Sequence, residues 1–374
     1  MIRKIAIAFL VGAIGFTGYA QESLTFYIGT YTKSGSYGIY VAQFNIGTGA
    51  IAITDSIAAE NPSYLALNKA GNRIYAVTEN GGDKIGGVSS YIKDEKSNKW
   101  KPLNATRIPS GGDHPCYISL NSKENFAMVS NYTGGSLSVL PIDDHGLVGE
   151  AVQVIQHRGS SINADRQASP HVHSAIFTPS EKYVVVADLG TDMVQAYPFD
   201  AKKKQPLDTT KVIGIKLPAG SGPRHMAFHP SKSLFYVVGE MSGDVSVYAF
   251  NKKAIAWLQR AQADSISKMP GSADIHVSAD GRFLYASNRS DANNISVFSI
   301  SKYDGKLSGV GQQSTLGKVP RNFAIDPTGK FLLAANQTTN NIVVFRLNET
   351  TGMPEPTGKS VQLPSPVCIV FAAR

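Results

Sequence analysis

Five ionisable residues hold corresponding positions in a repeated pattern: His173, Arg224, Glu240, Arg289 and Arg321. His173, Arg224 and Arg321 open short β-like runs, within VHSAIF from Val172, PRHMAF from Pro223 and PRNFAI from Pro320. Glu240 and Arg289 close the runs that come second in their copies, FYVVGE and LYASNR. Three arginines turned toward one cavity make it positive, and the planar guanidinium suits bidentate binding of a carboxylate or phosphate. The same groups stabilise an oxyanion as it develops. A glutamate and a histidine beside them offer a general base and a general acid, in either assignment. No GxSxG elbow or other activated serine or cysteine is evident, which argues for a water nucleophile rather than a covalent acyl-enzyme.

The elements that must position these residues form an internal repeat. Six stretches share one grammar, beginning at Pro62, Pro115, Val172, Pro223, Ser272 and Pro320. Each opens with a short alternating strand, turns through a polar segment, and continues into a β-branched or aromatic strand. A third strand follows, as in SLSVLPI, DVSVYAF, NISVFSI and NIVVFRL, and a less regular fourth fills the gap to the next copy. Four antiparallel strands recurring at this period predict a β-propeller. LTFYIGTY and GIYVAQF near the N-terminus lack a first strand, and PSPVCIVF near the C-terminus is a lone first strand. Together they complete a seventh blade, and sharing it between the two ends leaves no open sheet edge. The prediction is an all-β, seven-bladed propeller over residues 21–374.

In such a blade the first strand lines the central channel and the second returns beside it, so the start of one and the end of the other lie at the same mouth. The five residues above come from four consecutive copies, the third to the sixth, and should form an arc there. Asn131, Tyr132, Asn288, Asn336 and His171 fall at or beside the same rim and are the candidate substrate contacts, with Arg321 further out. Glu79, Asn131, Asp188, Asn288 and Asn336 could offer oxygen ligands to Ca²⁺, and His171 and His173 share a strand face but lack an evident third ligand. The expectation is therefore no metal and no cofactor. His225 reads as blade packing on the opposite strand face from Arg224, and His229 and His276 as structural.

The chain has 374 residues, 42% hydrophobic and 17% charged, with 35 Gly and 19 Pro. That is ample material for a core, and it is turn-rich. The formal net charge of +8 is scattered rather than gathered in an aromatic-rich run, so an anionic small molecule suits it and nucleic acid is not expected. Cys116 and Cys368 have no metal-type spacing and read as buried packing residues. At the N-terminus Arg3 and Lys4 precede an apolar run from Ile5 to Phe16, followed by Gly18, Tyr19 and Ala20. This is the pattern of a secretory signal over residues 1–20, cleaved after Ala20. The run is too short for a stable membrane anchor, so a periplasmic or secreted protein is expected, as a monomer or weak dimer.

The segments GPRHMAFHP, VVGEMSGDVSVY, LYASNRS and VPRNFAIDP, set in this repeat, resemble the seven-bladed propeller lactonase family. That family includes bacterial 6-phosphogluconolactonases and is similar to carboxy-cis,cis-muconate cyclase. The resemblance spans essentially the whole mature chain. It implies an active site of His173, Arg224, Glu240 and Arg289, and hydrolysis of a sugar-type lactone, 6-phosphogluconolactone or an unphosphorylated aldonolactone. A cytosolic pentose-phosphate enzyme needs no secretion signal, which sets this chain apart. Two rival expectations are a lactonising enzyme acting on a muconate-like dicarboxylate and a non-catalytic extracytoplasmic propeller that binds a ligand or protein through its rim.

Overall fold

The computed structural model describes residues 23–251 and 254–373; the proposed signal segment lies outside them. Seven antiparallel sheets form a ring, and the blades are numbered here by repeat copy. Blade 1 runs from Leu65 to Pro109, blade 2 from Pro115 to Gln156 and blade 3 from Val172 to Lys216. Blade 4 runs from Pro223 to Gln262, blade 5 from Ser272 to Ser314 and blade 6 from Pro320 to Gln362. Blade 7 is the shared one, in which Pro366–Phe371 pairs antiparallel with Ser23–Thr30, next to Gly38–Asn45 and Ile51–Ala58. Among the described residues, blade 1 alone carries a fifth short strand, Ile108–Pro109.

The sequence pattern of each strand follows from its distance to the axis. Second strands lie between two neighbouring blades, and Phe126–Asn131, Phe283–Asn288 and Phe331–Asn336 are buried at every residue. Outer strands such as Leu307–Ser314 bury one face at most and carry mainly polar residues. The core is accordingly divided into seven apolar clusters, one for each junction between adjacent blades. The junction of blades 6 and 7 brings Phe44 against Phe331 at 5.1 Å, while Phe26 meets Phe371 at 5.2 Å across the seam within blade 7. Each such aromatic pair adds about 0.5–1.5 kcal/mol beyond its buried area, which reinforces the place where the ring is closed without a covalent link. Polar residues fix the turns between first and second strands: Asn121 Oδ1 accepts from the Asn125 and Phe126 amides, and Asp326 Oδ1 from those of Lys330 and Phe331.

One irregularity positions the site. In blades 2 to 7 the pairing of first and second strands slips at the opening of the first strand. The extra residue of a β-bulge is unpaired and its side chain is re-aimed. Cys116, His173, Arg224 with His225, Ala273 with Asp274, and Arg321 all fall in these slips.

Candidate active site

At the mouth where first strands begin, a cavity of about 950 Å³ opens. Tyr31, Glu79, Tyr132, His173, Glu240, Arg289 and Arg321 all face it, so the rim positions inferred from the repeat do converge. Glu240 is the centre of charge. Arg166 Nη2 donates to its Oε1 at 2.6 Å, while Arg224 Nε and Arg289 Nη2 donate to Oε2, each at 2.9 Å. Burial alone would raise the Glu240 pKa, but the charges of Arg289, Arg224 and Arg166 outweigh it and hold the carboxyl well below its ordinary value. It is a firm carboxylate and a weak base. Gly222 makes room for this arrangement: at φ +62° a Cβ would come within 2.8 Å of Met241, and its carbonyl accepts from the Glu240 amide at 2.8 Å.

His173 is 3% exposed, with Nε2 3.9 Å from Glu240 Oε2 and Nδ1 3.7 Å from Cys116 Sγ. Burial, then the neighbouring Arg224 and His225, push its pKa well below the ordinary imidazole value despite the opposing pull of Glu240. It is therefore a neutral imidazole at physiological pH. Arg289 is held by Glu240 and by the Gly271 carbonyl, which accepts from its Nε at 2.7 Å. Burial pushes its pKa down to about 10, so it stays cationic at neutral pH.

Several sequence-level assignments are corrected by where the side chains go. Arg224 is 1% exposed and lies one layer behind the cavity wall, its guanidinium engaged by Glu240 Oε2 and the Ala273 carbonyl. It helps fix the Glu240 carboxylate and is not among the residues that line the cavity. Asn131, Asn288 and Asn336, expected as substrate contacts, are fully buried. Asn131 Nδ2 donates to Ser136 and Ser138, Asn288 Nδ2 to Asn294 and Ser296, and Asn336 Nδ2 to the Thr315 carbonyl. They tie the ends of second strands into the blade because the final residue of those strands points between strands, not into the channel. Asp188 does the same work, accepting from the His171 amide and from His157. Of the oxygens considered for Ca²⁺, those of Asp188 and Asn288 are engaged within the blades, whereas Asn131 Oδ1 and Asn336 Oδ1 have no hydrogen-bond partner; no group of three or more His, Cys, Asp or Glu able to hold a metal exists among the described residues. Tyr132 does face the cavity, accepting from Arg166 Nη2 at 3.1 Å. His171 stacks beneath it at 4.5 Å and donates from Nδ1 to the Tyr132 carbonyl, so it supports the ring rather than lining the cavity.

Arg166 escaped the sequence reading because it belongs to no strand. It sits in the irregular stretch 157–171 between blades 2 and 3, longer than a connection of this kind requires, and that length was the available signal. The stretch is anchored by fully buried Asp192: Oδ1 accepts from Gln167 Nε2 and the Gly222 amide, Oδ2 from Ser161 and the Gly220 amide. One carboxylate therefore fixes both the loop that carries Arg166 and the loop that leads into Arg224.

Deeper in the channel His225 donates from Nδ1 to Asp274 Oδ1 at 2.7 Å, while Asp274 Oδ2 bonds His276 Nε2 at 3.0 Å and also the Asn322 amide group. The ring of His225 lies edge-on to Tyr117 and His173, at 5.2 and 5.3 Å. Its place is the channel itself, as a floor under His173, rather than the packing between blades expected from strand alternation; the bulge at Arg224 and His225 cancels that alternation.

Comparison with known proteins agrees with this fold. The sequence model of the family described as "Lactonase, 7-bladed beta-propeller" matches residues 25–371. The chain is 37% identical over 353 residues to the 6-phosphogluconolactonase of Bacillus subtilis, covering 92% of this chain and 97% of that protein. It is 36% identical over 332 residues to the 6-phosphogluconolactonase of Formosa agariphila, covering 87% and 93%. The structure of the periplasmic gluconolactonase of Pseudomonas aeruginosa superposes with a TM-score of 0.89 at 32% identity, covering 94% of this chain and 99% of that one.

Proposed function

The chain belongs to the seven-bladed β-propeller lactonase family, and on that premise we propose that it hydrolyses a sugar-type lactone, with His173 as general base, in the arginine-lined mouth of its channel. The observation that carries this reading is a buried imidazole at the cavity whose Nε2 lies 3.9 Å from a carboxylate paired with three arginines. Water attacks the lactone carbonyl carbon and gives a proton to His173. The imidazolium is then stabilised by the negative charge of Glu240, whose Oε2 lies 3.9 Å from Nε2. Negative charge developing on the carbonyl oxygen is met by Arg289, whose guanidinium reaches the cavity, in place of Arg224. As the tetrahedral intermediate collapses, the ring C–O bond breaks and the leaving alkoxide takes the proton back from His173, giving the free hydroxy acid.

The test is hydrolysis of glucono-δ-lactone and its 6-phosphate by the full-length protein, with spontaneous opening subtracted. A base must be unprotonated to act, and the His173 pKa is depressed, so kcat/KM should stay level from pH 8 to below 6.5 and fall only in more acidic solution. A midpoint at or above 6.5 would remove His173 from the role. Activity toward neither lactone would overturn the functional reading.

An extracytoplasmic location belongs to the same proposal, supported by the N-terminal pattern and by the likeness to a periplasmic gluconolactonase. N-terminal sequencing of the exported protein should begin at Gln21; recovery of Met1 from the cytoplasm would refute it.

A further inference from the structure

The side of the cavity away from Glu240 is built by other blades and has a different charge. Tyr31 follows the second strand of blade 7, Glu79 that of blade 1, and Arg321 is the bulge residue of blade 6. Tyr31 Oη donates to Glu79 Oε2 at 2.8 Å, and the Arg321 guanidinium lies 5.5 Å from the centre of the Tyr31 ring. Among the described residues Arg321 forms no ion pair, and Glu79 accepts from Tyr31 alone. Burial pushes the Tyr31 phenol far up, so it remains a donor. All three face the cavity, and the Glu240 cluster uses none of them.

We propose that Tyr31, Glu79 and Arg321 form the subsite for an uncharged, hydroxyl-bearing arm of the lactone, and that Glu79 discriminates against a phosphate on that arm. The assignment rests on the lactonase reading above. A sugar hydroxyl both donates and accepts, and this side supplies an acceptor in Glu79, donors in Arg321 and an aromatic face for C–H groups. One cation and one carboxylate leave the subsite near zero net charge, which fits a neutral arm. The opposite side has three arginines around one carboxylate, which fits an oxyanion. A phosphate ester has acceptor oxygens only and carries close to two negative charges near neutral pH, so it would gain Arg321 but face the Glu79 carboxylate without a donor.

The test is kcat/KM of the full-length protein and of Glu79→Gln on glucono-δ-lactone, its 6-phosphate, and δ-valerolactone, which has no hydroxyl-bearing arm. In the wild type glucono-δ-lactone should be preferred over its 6-phosphate. In Glu79→Gln the ratio of glucono-δ-lactone to δ-valerolactone should fall about tenfold or more, the loss expected for a hydrogen bond to a charged group. The preference between 6-phosphate and free lactone should shift toward the phosphate by at least about threefold. Tyr31→Phe, which removes the donor that fixes Glu79, should move both ratios in the same directions and serves if the first variant does not fold. Unchanged ratios in a folded variant would overturn the subsite, as would a wild-type preference for the 6-phosphate, which the exposed rim residue Lys268 could then hold. A wild type inactive on all three lactones would instead overturn the lactone reading and the subsite with it.

Discussion

His173→Gln is expected to lower kcat for lactone hydrolysis by about 10²- to 10⁴-fold, the range for removing a general base, with little change in KM. Glutamine keeps a polar side chain of similar length in the space bounded by Cys116, Tyr132 and His225, so the fold should persist. The loss should fall on turnover because the imidazole acts on the attacking water, while the groups that hold the lactone remain. Two readouts separate a chemical role from a packing role. The low-pH limb of kcat/KM should vanish in the variant, and added imidazole should restore part of the activity. A variant within threefold of wild-type kcat would place the base elsewhere.

Glu240→Ala should be the most damaging single change to stability at the site, by about 3–5 kcal/mol, since it strands a buried charge. Arg224 is 1% exposed and would keep only the Ala273 carbonyl; Arg289 would keep only that of Gly271. Arg166 is the least affected of the three, because its side chain is 45% exposed and water can replace the lost partner. Glu240→Gln should be milder in denaturant unfolding, since it retains an oxygen acceptor. It should still lose about 10²-fold or more in kcat, because the amide cannot stabilise an imidazolium on His173. Equal stability of Glu240→Ala and wild type in urea would show that the arginines do not depend on this carboxylate. Wild-type turnover by Glu240→Gln would show that its charge is not used.

The ring was legible because a propeller writes its period into the chain. Each blade must bury its second strand against two neighbours, so the apolar runs ending at Thr78, Asn131, Asp188, Gly239, Asn288 and Asn336 recur with the same polar punctuation. The split blade was legible for a related reason: an unpaired first strand at one end implies its missing partners at the other. The mouth residues followed from topology, since strand starts and strand ends must meet there. That logic places His173, Glu240, Arg289 and Arg321 around one cavity, and the structure agrees.

What position along a strand could not convey was direction. Alternation assumes an unbroken ladder, and the bulges at the openings of the first strands break it, which put His225 in the channel and Arg224 against the Glu240 carboxylate. Asn131, Asn288 and Asn336 share a rim position with residues that line the cavity, yet they are fully buried and their amide NH2 groups donate to hydroxyls and carbonyls nearby. Arg166 reaches Glu240 across 74 positions of sequence from a loop with no periodicity at all. Sequence by itself determined the architecture and the set of residues at the mouth, because both follow from a repeated burial pattern that each copy states locally. Only the tertiary structure decided which of those residues face the cavity and in what electrostatic surroundings, because that depends on bulge geometry and on which charges, distant in sequence, share a buried volume.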